Sequence, residues 1–97
     1  MTRDEVLAML RARYPEIRRR FGVARLAVFG SVARDEARPD SDVDILVGFD
    51  GPTGFDGYFD LRFFLEDLLS RPVDLLTEAA LRPILRENVA REAIHVA

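Results

Sequence analysis

Val28-Phe-Gly-Ser-Val-Ala-Arg-Asp-Glu-Ala-Arg-Pro-Asp-Ser-Asp-Val-Asp-Ile-Leu-Val47 decides the fold. It begins inside an apolar run, Ala24 to Phe29, which reads as a short, largely buried strand. Gly30-Ser31 breaks that run, Val32 to Glu36 suits a short helix, and Arg38-Pro39-Asp40-Ser41 is a turn. Asp42 to Val47 alternates polar with apolar at its start and then turns apolar, which predicts a second strand. Side chains two apart on a strand share a face, so Asp42 and Asp44 point one way while Val43 and Ile45 point into a core.

Upstream, Thr2 followed by Glu5 fits a capping box. Val6, Leu7, Leu10, Tyr14 and Ile17 then recur at helical spacing, predicting a helix over 3–20 with a kink or break at Pro15 and an end at Gly22. Downstream, Gly48 to Gly57 carries four glycines and a proline and reads as a mobile loop. Tyr58 to Leu69 is rich in Phe and Leu, which predicts a well-buried helix whose phenylalanines are core rather than a stacking platform for bases. Pro72 to Leu76 is a third apolar run, Thr77 to about Arg91 is helical with Pro83 starting a new segment, and Ile94 to Val96 suits a short edge strand. The predicted order is α-β-α-β-α-β-α in one α/β (α+β) domain covering residues 1–97.

Composition removes whole classes of chemistry. No cysteine is present, which excludes disulfides, thiolate nucleophiles and zinc-thiolate sites. All fourteen basic residues are arginine, so there is no lysine for a covalent nucleotidyl or Schiff-base intermediate. With His95 the single histidine, a multi-histidine metal site within one chain is excluded, and His95 itself is expected at the surface. A net charge of −3 offers no overall field for nucleic acid, and Arg18-Arg19-Arg20 reads as a solvated helix face balanced by Asp4, Glu5 and Glu16. No apolar run is long enough for a membrane span and the N-terminus does not resemble a signal peptide, so a cytoplasmic location is the expectation.

What remains is carboxylates, hydroxyls, arginines, backbone amides and bound cations. Asp42 and Asp44, on one strand face about 7 Å apart between Cα atoms, repel each other when ionised unless a hard cation such as Mg²⁺ or Mn²⁺ sits between them. Polar alternation on a solvent-facing strand would produce the same pair. Gly30-Ser31, between a strand and a helix start, can cradle an anion with backbone amides and a hydroxyl, or can simply be a turn. If the two strands are antiparallel, cradle and carboxylates face one site. Asp74, in the otherwise apolar Pro72-Val73-Asp74-Leu75-Leu76, could join them and deprotonate an incoming hydroxyl, or could point to water or pair with Arg71. Arg34 could contact a triphosphate or pair with Asp35 or Glu36.

Gly30-Ser31, ten residues, then Asp42-Val43-Asp44 resembles the Gly-Ser-x10-Asp-x-Asp motif of the DNA polymerase beta-like nucleotidyltransferase superfamily. More narrowly, Val28 to Val47 looks like the minimal nucleotidyltransferases, antitoxin halves of two-gene modules whose toxin is a helical HEPN-domain ribonuclease. The likeness extends over nearly the whole chain. It implies a small mixed β-sheet flanked by helices, ATP as substrate and two Mg²⁺ ions. Gly30 and Ser31 would hold the triphosphate with Arg34 and Ser41 near it, and Asp42, Asp44 and Asp74 would bind metal, Asp74 also activating the acceptor. Active members transfer AMP to a tyrosine of the HEPN toxin and silence it. Two departures stand out: Asp35 where many relatives have glycine, and Pro72 where they often carry a basic residue. Rival readings are a non-catalytic antitoxin that occludes its partner and a nucleotidyltransferase acting on a small polyol such as an aminoglycoside.

Overall fold

The computed structural model describes residues 1–81 and 83–96. Helix α1, Arg3–Phe21, starts at the expected capping box: the Thr2 hydroxyl accepts the Glu5 amide while the Glu5 carboxylate accepts the Thr2 amide. It runs unbroken through Pro15, which lies on the exposed side, where water can reach the carbonyl that Pro15 leaves without its intrahelical donor. Gly22 ends it in the left-handed conformation, φ +67°, its amide donating to the Arg18 carbonyl.

Strand β1, Val23–Phe29, leads into a one-turn helix α2, Gly30–Ala33, that starts two residues earlier than the sequence suggests. Strand β2, Val43–Phe49, leaves Asp42 one residue ahead of it rather than within it. Helix α3, Phe55–Leu69, takes up three residues of the expected loop, and strand β3, Val73–Thr77, follows. A short 3₁₀ turn, Glu78–Ala80, separates β3 from helix α4, Pro83–Glu92, and β4, Ile94–His95, closes the chain.

The sheet order is β3-β2-β1-β4. β1 pairs antiparallel with β2 and with β4, whereas β2 and β3 are parallel, with α3 as the crossover a parallel pair requires. The core lies on one face of the sheet: Val6, Leu7, Leu10 and Ile17 of α1 and Leu61, Leu65 and Leu69 of α3 pack on Leu26, Val28, Val43, Ile45, Val47, Val73 and Leu75. Strand alternation then sends Asp44, Leu46, Asp74 and Leu76 to the opposite face.

The Phe-rich helix departs from expectation. Only Leu61, Leu65 and Leu69 are fully buried, whereas Phe55 is 78% and Phe63 57% exposed. The apolar residues of α3 wrap further round the helix than one buried face can take up, and Phe55, Phe59 and Phe63 instead stack along its outer side, with ring centroids 4.7 and 6.2 Å apart. Glu16 does balance the arginine cluster, pairing with Arg13 and Arg20, but Asp4 and Glu5 are engaged elsewhere, by Arg3 and by the cap. Among the described residues no helix is long and apolar enough to cross a membrane.

Candidate active site

Three strands deliver their chemistry to one level of the sheet. Phe29 is the register partner of Asp44, and Asp44 is the register partner of Asp74, so Gly30, Asp44 and Asp74 come from neighbouring strand ends. Asp42 sits just before β2, on the turn that feeds it. Asp74 is exposed, so burial does not force it to find a partner, contrary to what its apolar neighbours suggest; period-two alternation turns it out of the core. Nor does Arg71 pair with it.

Arg71 instead clamps the turn that carries Asp42. Its guanidinium donates to the carbonyls of Arg38 (2.9 Å) and Ser41, tying that turn to the α3–β3 connection. The Ser41 hydroxyl accepts the Arg38 amide at 2.9 Å and so closes the turn. On the other side Glu66 accepts the Val73 amide at 3.0 Å, and the Val43 amide donates to the Pro72 carbonyl at 2.9 Å, starting the β2–β3 pairing. These contacts hold the turn that carries Asp42 and the start of β3 that carries Asp74 against β2. Neither Arg71 nor Glu66 carries a signal in the sequence, because each acts through backbone carbonyls or amides.

Burial pushes the Asp44 carboxyl above its ordinary value, and the negative charges of Asp74 and Asp42 push it further; Arg34 opposes them and Glu92 adds to them. An acid whose folded pKa is raised holds its proton more tightly folded than unfolded. Stability is therefore lost as pH rises from the ordinary aspartate value, about 4, through the raised folded value. Asp44→Asn is expected to raise the apo thermal midpoint at pH 7 by roughly a few degrees, and to lose that advantage near pH 4, in scanning calorimetry across pH.

The turn at Gly30-Ser31 is built on close approach. Gly30 has φ +70°, and a Cβ placed there would lie 2.0 Å from Asp44 Oδ2. Only glycine lets the chain turn left-handed and leaves room for that carboxylate. Asp35, where the resemblance calls for glycine, does adopt a left-handed backbone, φ +59°, with its carboxylate accepting the Arg3 amide at 3.3 Å. Arg34 pairs with Glu36 (3.1 Å), as one sequence alternative has it, and also with Glu92 (2.9 Å). Glu92 further accepts the Gly30 amide at 3.0 Å. No periodicity or motif marks this residue, which reaches the cradle across 62 positions of sequence.

All the carboxylate donors here are hard oxygens, the chemistry of a Mg²⁺ or Mn²⁺ ligand set. Among the described residues no three such side chains, or imidazoles, already close on one point as a ready cage. The raised Asp44 pKa marks the same group of acids as electrostatically coupled. The chemistry of their donor set fits a divalent cation.

Residues 13–96 match the family described as nucleotidyltransferase domain. The protein adenylyltransferase MntA of Thermococcus cleftensis is 41% identical over 99% of this chain and 97% of its own length. A solved structure proposed to be a minimal nucleotidyltransferase superposes with a TM-score of 0.83 at 44% identity, covering 97% of this chain and 95% of that one. A toxin–antitoxin structure with AMP-PNP has TM-score 0.71 at 20% identity, covering 100% of this chain and 73% of that one. The MNT antitoxin bound to an AMPylated HEPN toxin of Shewanella oneidensis has TM-score 0.68 at 17% identity, covering 94% and 71%. At these last two identities the likeness is one of fold.

Proposed function

This chain belongs to the nucleotidyltransferase domain family, and on that premise we propose that it transfers AMP from ATP to a tyrosine hydroxyl of a HEPN-domain toxin, as an antitoxin. The observation that supports the proposal is the register, Phe29 opposite Asp44 and Asp44 opposite Asp74, which brings Gly30, Asp44 and Asp74 to neighbouring strand ends. The name of the adenylyltransferase relative supports AMP as the group transferred, and the HEPN toxin complex of the fold relative supports the choice of partner.

In this reading the Gly30 amide, the Ser31 hydroxyl and the Arg34 guanidinium hold the terminal phosphates of ATP. Ser41 acts near the nucleotide through the turn it closes, which carries Asp42. Asp42, Asp44 and Asp74 would hold Mg²⁺, which supplies neutralisation of phosphate charge and a lower pKa for the attacking hydroxyl. Asp74, exposed and facing the open side, takes the acceptor's proton. The acceptor oxygen bonds to the α-phosphorus as the bond to pyrophosphate breaks in line.

The test is incubation with α-labelled ATP, Mg²⁺ and a cognate HEPN-domain protein. Label covalently on a tyrosine of that protein, lost when the tyrosine is changed to Phe, is the expected result. Neutralisation of the partner without label, unchanged in Asp42→Asn, would replace transfer with occlusion.

A further inference from the structure

Among the described side chains of helix α4 none is fully buried; Val89 and Glu92 are half-buried, and Leu85 is 48% exposed. A hollow of about 470 Å³ lined by Leu46, Leu81, Arg86, Val89 and Ala90 opens between α4 and the sheet.

Its last residue is nonetheless anchored by both carboxylate oxygens. Glu92 Oε1 accepts the Gly30 amide at 3.0 Å and Oε2 accepts Arg34 Nη1 at 2.9 Å. A carboxylate presents two acceptor oxygens at a spacing similar to that of two phosphate oxygens, so it can stand where a phosphate edge would. Gly30 has one N–H, and it cannot serve Glu92 and a phosphate together at full strength. Coulombic repulsion points the same way, since an anionic nucleotide approaching this face meets Glu92 as well as Asp42, Asp44 and Asp74.

We propose that Glu92 is an internal competitor for the triphosphate. Nucleotide binding displaces its carboxylate from Gly30 and Arg34, and the displacement frees the C-terminal end of α4 from the cradle. Glu92 thereby sets nucleotide affinity without touching the reacting atoms. The inference rests on the nucleotide-binding role given above to Gly30 and Arg34.

Calorimetric titration of Mg²⁺ with a non-hydrolysable ATP analogue into the full chain tests it. Kd is expected to fall about three- to tenfold in Glu92→Ala, and by less in Glu92→Gln, which keeps an acceptor for Gly30 but loses the charge. Glu87→Gln, which neutralises an exposed α4 carboxylate paired with Arg91, is expected to match wild type. Hydrogen exchange supplies the second readout. Exchange across residues 83–92 is expected to rise in wild type on adding the analogue, and to be raised already without it in Glu92→Ala. Unchanged or weaker binding in both Glu92 variants, with wild type binding normally, overturns the competitor role alone. Absence of binding in every protein overturns the nucleotide reading and this inference with it.

Discussion

Asp44→Asn is expected to leave a folded protein whose AMP transfer is down by about 10³-fold or more, the scale at which several kcal/mol of metal-derived transition-state stabilisation are withdrawn. Asn is nearly isosteric with Asp, and Asp44 sits centrally, in register with Phe29 of β1 and Asp74 of β3. The exchange therefore removes a charge and, in the proposed site, an oxygen ligand without opening a cavity. Two readouts move in opposite directions. Transfer of labelled AMP collapses, whereas the apo protein gains stability at neutral pH, because desolvation and the Asp74 and Asp42 charges no longer act on an ionised carboxyl. A merely structural carboxylate would lose both together. Residual transfer within tenfold of wild type would exclude Asp44 from the catalytic centre.

Gly30→Ala is expected to damage both stability and chemistry. The added methyl meets Asp44 Oδ2 at 2.0 Å, Cγ at 2.9 Å and Cβ at 3.2 Å, on a backbone with φ +70°. Either Asp44 swings out of its place or the β1–α2 turn shifts, taking the Gly30 amide with it. Backbone strain and overpacking together are expected to cost about 2–4 kcal/mol of stability. Displacing the carboxylate or the amide is expected to lower transfer by roughly 10²-fold beyond that. Gly22→Ala separates the contributions, since Gly22 has φ +67° but nothing within 4 Å of the added Cβ. It is expected to cost only the strain, about 1 kcal/mol, and to leave specific activity intact. Thermal melts beside AMP-transfer assays on both variants check the pair, and equal activity in the two would remove the close approach of Gly30 and Asp44 from the account.

The features legible in the chain were those governed by neighbours along it. Thr2 and Glu5 announce the first cap, Gly22 the left-handed stop, and Pro83 the start of α4, because caps and turns are settled by residues a few positions apart. The strand period turns Asp44 away from the core, whereas Asp42 falls on the turn ahead of β2, outside the reach of that period. Gly30-Ser31 declares a break after an apolar strand, and the motif spacing carries the family. Burial is less legible in the chain. The same abundance of Phe in α3 that suggests a packed helix leaves Phe55 and Phe63 in solvent, since helical angle, not hydrophobicity, decides which side reaches the sheet.

By itself, then, the sequence determined the cast: three acids, one glycine-serine break and no cysteine, lysine or second histidine to do other chemistry. Only the tertiary structure decided how they meet. Packing of α3 sets β3 parallel to β2 with Asp74 opposite Asp44, Arg71 holds the Asp42 turn through carbonyl oxygens, and α4 returns Glu92 to the amide of Gly30. Those contacts join residues far apart along the chain, and their partners are backbone groups every residue possesses. No local pattern can encode them; they exist once the core has chosen which faces to bury.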